Sequence, residues 1–438
     1  MKPERFRGGV ALAVAIAVSV PAVRAQVIDV ERAHTFVVAS RSASFREDRA
    51  DAARTGLSRV ALPTGTLRTV WSASVGTRID QSPVVDEQGV AYVVDAAGGV
   101  TALASDGAVR WRLATGAASS GAAALLADGT LLFVDSSGRA FGLREGSIRW
   151  TVALGTGGRF SSALALDDGG CAVSSGPVLA LLDAEGGLRA RATVRAPIVA
   201  PLVSSRGRVF AVDSAGTVWS WQPGPAVPER VGTFGEPTDA MAAFHSQLVT
   251  VPRSGRRVSA LNVATGQATP LAEAGPGERF AGPPTVGPRA PEQAAAAFVV
   301  ASTPSGDTMV LVDPEGREQQ RTLLVGRTPM LMSDGGSPPA PAEAHTPPLV
   351  DASGTLVFAT SAGDVGVVHL GTVERASEVC SPRRMPAERG GADQDRAVPV
   401  VVGLAPIRPG VLVATCRSGT VLALEEGSMG GKGDSPNL

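Results

Sequence analysis

The chain has 438 residues, a formal net charge of −1, 18% charged and 44% hydrophobic residues, and no bilayer-spanning apolar run after its N-terminus. These values exclude a nucleic-acid binder working by bulk charge, a polytopic membrane protein and a disordered chain. Glycine occurs 52 times and proline 32 times, which breaks the chain into short elements joined by turns, the composition of an all-β protein.

In chain order, the first element is a targeting segment. Lys2, Arg5 and Arg7 form a positive n-region, residues 10–20 (VALAVAIAVSV) an apolar h-region, and Val23 and Ala25 occupy the small positions before a cleavage site. Residues 1–25 therefore read as a signal peptide with Gln26 as the first mature residue. No cysteine follows the cleavage site, so the expectation is a periplasmic or secreted protein without a lipid anchor.

From about residue 68 one pattern recurs: small residues or proline, a short apolar strand, a glycine turn, a second strand, a four-residue turn ending in glycine, and a third strand. It is clearest in SPVVDEQGVAYVVDAAGGVTAL (82–103), AALLADGTLLFVDSSGRAFGL (123–143), APLVSSRGRVFAVDSAGTVWSW (200–221) and PPLVDASGTLVFATSAGDVGVV (347–368). Looser copies cover 163–183, 240–262, 284–313 and 399–424, making eight. Trp71, Trp111 and Trp150 mark a period of about forty residues, that of a four-stranded propeller blade, and belong on outermost strands packed against the next blade.

The copy ending at Leu424 lacks a following outermost strand, whereas LRTVWSAS, Leu67–Ser74, is an outermost strand with no inner strands before it. The two complete one blade and close the ring. The expected organisation is an all-β, eight-bladed propeller over 67–425, an N-terminal extension (26–66) wrapping the outside of the ring, and a disordered tail at 426–438. Cys380 and Cys416, both in the last repeat, are the plausible disulfide of an exported chain, and Cys171 reads as a buried thiol.

SPVV, the turns ending in glycine, VTALASDGAVRW and LNVATGQ together resemble the pyrroloquinoline-quinone-type propeller repeat over about residues 55–425. That resemblance implies the eight-bladed fold, which serves quinone-dependent dehydrogenases and also the non-catalytic propeller lipoprotein of outer-membrane β-barrel assembly. The dehydrogenases carry adjacent cysteines, a calcium site and a catalytic aspartate. This sequence has no adjacent cysteines, no loop of calcium-binding spacing and no haem attachment motif, so no enzyme activity, cofactor or metal is expected.

GTGGRF (155–160) and GSMGGKG (427–433) depart from dinucleotide and phosphate-loop patterns and read as turns. His34, His245, His345 and His369 lie far apart in different copies, without metal-ligand spacing. What remains is geometry. Residues just before the inner strands ring one end of the channel: Arg78, Asp80, Gln81, Ser119, Ser120, Arg159, Phe160, Arg195, Asp239, Arg279, Phe280 and His345. Its arginines favour an anionic ligand or are paired with neighbouring blades. Two long connections, 326–345 and 380–397, open on the same end. The first offers Met330, Leu331 and Met332; the second offers Arg383, Arg384 and Arg389. They are the expected contact for an envelope protein or peptide, bound by a monomeric propeller that is neither membrane-embedded nor a nucleic-acid binder. The alternative is a quinone-dependent dehydrogenase or small-molecule binder using the channel mouth.

Overall fold

The computed structural model describes residues 45–47, 49–121, 123–155, 161–222, 227–244, 246–288, 295–303, 306–313, 316, 318–326, 346–360, 363–370, 372–376, 379–380 and 400–427. The predicted signal peptide and most of the predicted tail lie outside them. The described strands form eight sheets, one per blade: seven have four strands, and that of blade 7 has a fifth, Leu57–Ser58, added at its inner edge. Blades 1–7 span 84–114, 124–153, 161–193, 203–233, 238–273, 279–326 and 349–376, and in each the chain runs from the innermost strand outward. Blade 8 holds Val401–Arg408, Val411–Cys416 and Thr420–Glu426, with Leu67–Ser74 added antiparallel to the last as its outermost strand. The eight-bladed propeller and its closure by an N-terminal strand are thus as expected.

Burial follows position within the blade. Middle strands such as Leu131–Val134 and Val178–Leu182 are buried at every residue, because neighbouring blades cover both faces. Outermost strands such as Val109–Ala114 alternate between exposed and half-buried residues, the period of a sheet edge with one face in water. The ladder between third and outermost strands shifts register in blades 1, 2, 3, 4, 5, 6 and 8. These bulges twist the exposed edge away from pairing with another chain.

Neighbouring blades are fastened by the tryptophans. Trp71 of blade 8 donates its indole N–H to the Ser105 carbonyl of blade 1 at 2.9 Å, and Trp150 of blade 2 reaches Ala184 of blade 3 at 2.9 Å. Each ring lies on the turn before the next blade's outermost strand. The turn between second and third strands is held differently: Gly98 has φ +81°, and a Cβ there would stand 1.8 Å from the Ala117 carbonyl oxygen, so only glycine fits.

The described part of the predicted N-terminal extension lies inside the ring, not around its outside. Residues 45–62 run inside the ring and touch the innermost strands in blade order. Phe45 exchanges backbone hydrogen bonds with Val85 of blade 1, and Leu125 N–H of blade 2 donates to the Arg46 carbonyl at 2.7 Å. Ala165 N–H of blade 3 donates to the Glu47 carboxylate at 2.5 Å. Backbone N–H groups of Ser204, Ala243, Val286 and Val350, in blades 4 to 7, donate to the carbonyls of Ala52, Ala53, Thr55 and Gly56. Leu57–Ser58 then pairs parallel to Leu349–Asp351, and Gly410 of blade 8 donates to Ala61. The physical reason is that the free edge of an innermost strand carries unpaired N–H and C=O groups facing a narrow channel, and the arm supplies their partners.

Deleting Leu67–Ser74 should leave Thr420–Glu426 as an open edge. The expected outcome is aggregation on size-exclusion chromatography and a lower Tm; a soluble variant with unchanged thermal unfolding would refute the closing role of this strand.

Candidate functional site

The turns between second and third strands and the connections entering each blade lie on one face, as expected for the channel mouth. Backbone N–H groups of Ala96, Ser136, Ser214, Arg253 and Arg417, each in such a turn, donate to the carbonyls of Arg78, Ala118, Pro197, Pro237 and Val400 in the connection before the same blade. At the joint of blades 7, 8 and 1 this face gathers the ends of the two long connections. The Thr346 hydroxyl, at the end of the first, donates to the Val401 carbonyl, just past the end of the second. Cys380, at the start of the second, forms a disulfide with Cys416, with a Cα–Cα distance of 5.6 Å and a sequence separation of 36. A loop of that length contributes roughly 3–4 kcal/mol on the chain-entropy account. The predicted pairing is present. Cys171 is buried, and burial, reinforced by the Glu47 charge, pushes its thiol up to about 12, so it is chemically inert.

Next to the bridge, Arg78 donates to Asp80 at 2.7 Å, and Arg417 lies 3.7 Å from the same carboxylate oxygen. Two arginines thus share one acid, and the strip carries a net positive charge. Gln81 donates to the Ser119 hydroxyl at 2.8 Å across the joint of blades 1 and 2. Asp239 accepts from Arg253 at 2.7 Å, which raises the guanidinium's already high pKa, and Arg279 donates to the Arg253 carbonyl at 2.7 Å. Arg195 is exposed in an open groove between blades 3 and 4, lined also by Trp219, Val227 and Pro228. Phe280, expected at the mouth, is a core residue at 1% exposure. Arg159, Phe160, His34, His245, His345, Met330, Leu331, Met332, Arg383, Arg384 and Arg389 lie outside the described residues.

Sequence reasoning missed Arg417, Arg253 and Thr346 at the mouth, although the four-residue turn that holds Arg417 was legible. It also missed the charges carried by the arm. Arg54, at 1% exposure, donates from Nε to the Leu202 carbonyl at 2.7 Å and from Nη2 to the Ala163 carbonyl at 3.0 Å, and lies 3.8 Å from Glu47. Arg49 donates to the Pro284 carbonyl. Asp51 accepts from the Thr55 N–H and hydroxyl. Its place inside the ring, although it keeps some solvent contact, raises its carboxyl above the usual range because burial outweighs those bonds.

Asp80 and Asp239 are paired to arginines, Gln81 to Ser119, and Cys380 and Cys416 are far apart in sequence. Among the described residues no three acidic, histidine or cysteine side chains converge. These residues do not fit a quinone with its calcium ion.

An eight-bladed propeller with tryptophan-fastened blades, a mouth bearing arginine–carboxylate pairs and a channel filled by its own N-terminal arm defines the class. The chain belongs to the pyrroloquinoline-quinone-type propeller family described as outer membrane protein assembly factor BamB, whose model matches residues 53–143 and 139–313. No curated protein matches the sequence. Among solved structures, the crystal structure of BamB from Moraxella catarrhalis is similar with a TM-score of 0.55 at 16% identity, over 82% of this chain and 98% of that one. The computationally designed Ika8 protein gives 0.57 at 14% identity, over 82% and 99%. The quinohemoprotein alcohol dehydrogenase from Comamonas testosteroni gives 0.58 at 12% identity, over 91% and 82%. At these identities the likenesses establish the fold.

The mouth-side turns depend on their carboxylates. Asp135 is buried, which works against its charge, but the Arg139 N–H, the Ser137 hydroxyl and the Arg139 guanidinium together outweigh burial and hold its pKa below the usual carboxylate range. A depressed folded-state pKa contributes stability that is present above the unfolded value, about 3.9 for aspartate, and is lost as the pH falls through the folded value. Asp135→Asn should therefore cost about 1–3 kcal/mol at pH 7, and the gap to the unaltered protein should narrow below pH 4. Urea unfolding at pH 7 and pH 3 checks this; a gap independent of pH would refute it.

Proposed function

We propose that the protein is a non-catalytic, exported, monomeric propeller that holds a protein or peptide partner in the bacterial cell envelope, periplasmic or secreted, through its mouth face. The observation that carries this reading is that the residues flanking the two long connections meet at the joint of blades 7, 8 and 1: Thr346, after the first, bonds Val401, after the second, and the Cys380–Cys416 bridge pins the start of the second. A rigid scaffold that gathers two long connections beside a positive strip, Arg78–Asp80–Arg417, offers an adaptable binding surface on fixed supports. The proposed contacts are Met330, Leu331 and Met332, whose flexible apolar side chains suit adaptable packing, and Arg383, Arg384 and Arg389, suited to a partner's carboxylates.

Family membership supports an envelope role, since the family is described by an outer membrane assembly factor. The disulfide supports export, because such bonds persist in oxidising compartments. Among the described residues no helix is long and apolar enough to cross a membrane. The net charge of −1 provides no bulk attraction for nucleic acid.

Replacing Met330, Leu331 and Met332 with serine, together with Arg383→Glu and Arg384→Glu, should leave the far-UV spectrum and Tm unchanged and abolish capture of the partner that the unaltered protein retains from envelope extract. Undiminished capture would move the contact elsewhere. In a separate assay, dye reduction with an alcohol and sugar panel should show no dependence on added pyrroloquinoline quinone and calcium. Quinone-dependent turnover would replace the scaffold reading with the dehydrogenase one.

A further inference from the structure

Residues 45–62 meet the ring as a peptide meets a receptor. The ring side of the contact includes main-chain N–H groups from the innermost strands of blades 2, 4, 5, 6 and 7, at Leu125, Ser204, Ala243, Val286 and Val350, each donating to a carbonyl of the arm. Three features add side-chain reading to this main-chain pairing. The Arg54 fork spans two blades, reaching the carbonyls of Ala163 in blade 3 and Leu202 in blade 4, with the Ser162 hydroxyl at 3.4 Å. Ala52 and Ala53 lie where the arm passes blades 4 and 5. Gly56, at φ +76°, lies so close to blades 6 and 7 that a Cβ would stand 2.9 Å from the Thr285 side chain and 3.0 Å from the Pro348 carbonyl oxygen. The ring therefore reads an arginine, then a glycine two residues later, in a stretch of small residues.

The arm also curls on itself. Gly56 N–H donates to the Arg49 carbonyl at 3.0 Å, and Arg49, Ala50 and Arg54 adopt φ of 70°, 79° and 53°, left-handed values that side-chain-bearing residues rarely adopt. The ring's contacts hold the arm in a shape it would not keep alone. Its covalent link to the ring is the short stretch 63–66, where Thr64 and Thr66 are exposed.

We propose that the axial channel is a peptide-binding site separate from the mouth, filled in cis by residues 45–62, and that it takes in trans a peptide of this length carrying the Arg-x-Gly pattern. Recognition is by strand-edge addition around a ring, with the arginine fork supplying specificity. This site does not depend on the partner proposed for the mouth face: partner capture is read on the intact chain, and peptide exchange on a cleaved one.

The test inserts a protease site between Thr64 and Gly65 of the full chain and cleaves the folded protein. The expected result is that the arm fragment co-elutes with the ring on size-exclusion chromatography. A fluorescent peptide of residues 45–62 should then replace it over hours to days, and the Arg54→Lys peptide should compete about tenfold or more weakly, because an ammonium cannot satisfy both carbonyls in the fork geometry. Loss of the arm on cleavage, with the ring folded or precipitating, would overturn the proposal. So would a retained arm that never exchanges, or equal competition by the two peptides.

Discussion

The interaction on which the rest of this structure depends is the backbone pairing of the N-terminal arm with the innermost strands. A propeller solves the edge problem on its outer rim with bulges and short strands, yet its inner rim leaves strand edges facing the axis. An N–H or carbonyl there, screened from bulk solvent and without a partner, is costly. The arm answers this by completing one circuit in blade order, from Phe45 on blade 1 to Ala61 on blade 8. Its buried charges follow from the same constraint. Arg54 is tolerated at 1% exposure because carbonyls of two blades and the Glu47 carboxylate surround it.

The circuit and the closing strand form one continuous device. After Ala61 the chain leaves the axis, and Leu67–Ser74 completes blade 8 from outside. The N-terminal segment therefore clamps the last blade on both its inner and outer sides. The Asp351 carboxylate joins the two parts, accepting from Leu62 N–H at 2.8 Å while holding its own turn through Ser353 and Thr355. Ring closure is a long-range event that pairs the start of the folded chain with its end, a high-contact-order topology that folds slowly and exposes edges until it is finished.

Filling the channel from one end leaves the mouth face as the place for variable chemistry. Its carboxylates are engaged by arginines, and the disulfide gives the start of the second long connection a fixed base. The quinohemoprotein alcohol dehydrogenase from Comamonas testosteroni and BamB from Moraxella catarrhalis share this fold, so the scaffold alone does not choose a role.

Much of this was legible in the sequence, because it rests on local periodicity. The repeat of glycine turns and apolar strands, the tryptophan spacing and the unpaired LRTVWSAS segment define eight blades and their closure without any tertiary information, since each blade is built from neighbours in sequence. The Cys380–Cys416 pairing was only the plausible one in sequence, since Cys380 precedes the last repeat and meets Cys416 through the fold. The course of residues 45–62 was not legible: RADAARTGLSR is short, polar and without strand periodicity, and its partners are scattered from Val85 to Gly410. For the same reason the sharing of Asp80 between Arg78 and Arg417 could not be read from either end. The sequence by itself determined which residues form blades, through short-range patterning. Only the tertiary structure decided what fills the centre and which charges meet at the mouth, because closing a ring brings together residues whose separation along the chain carries no signal of their contact.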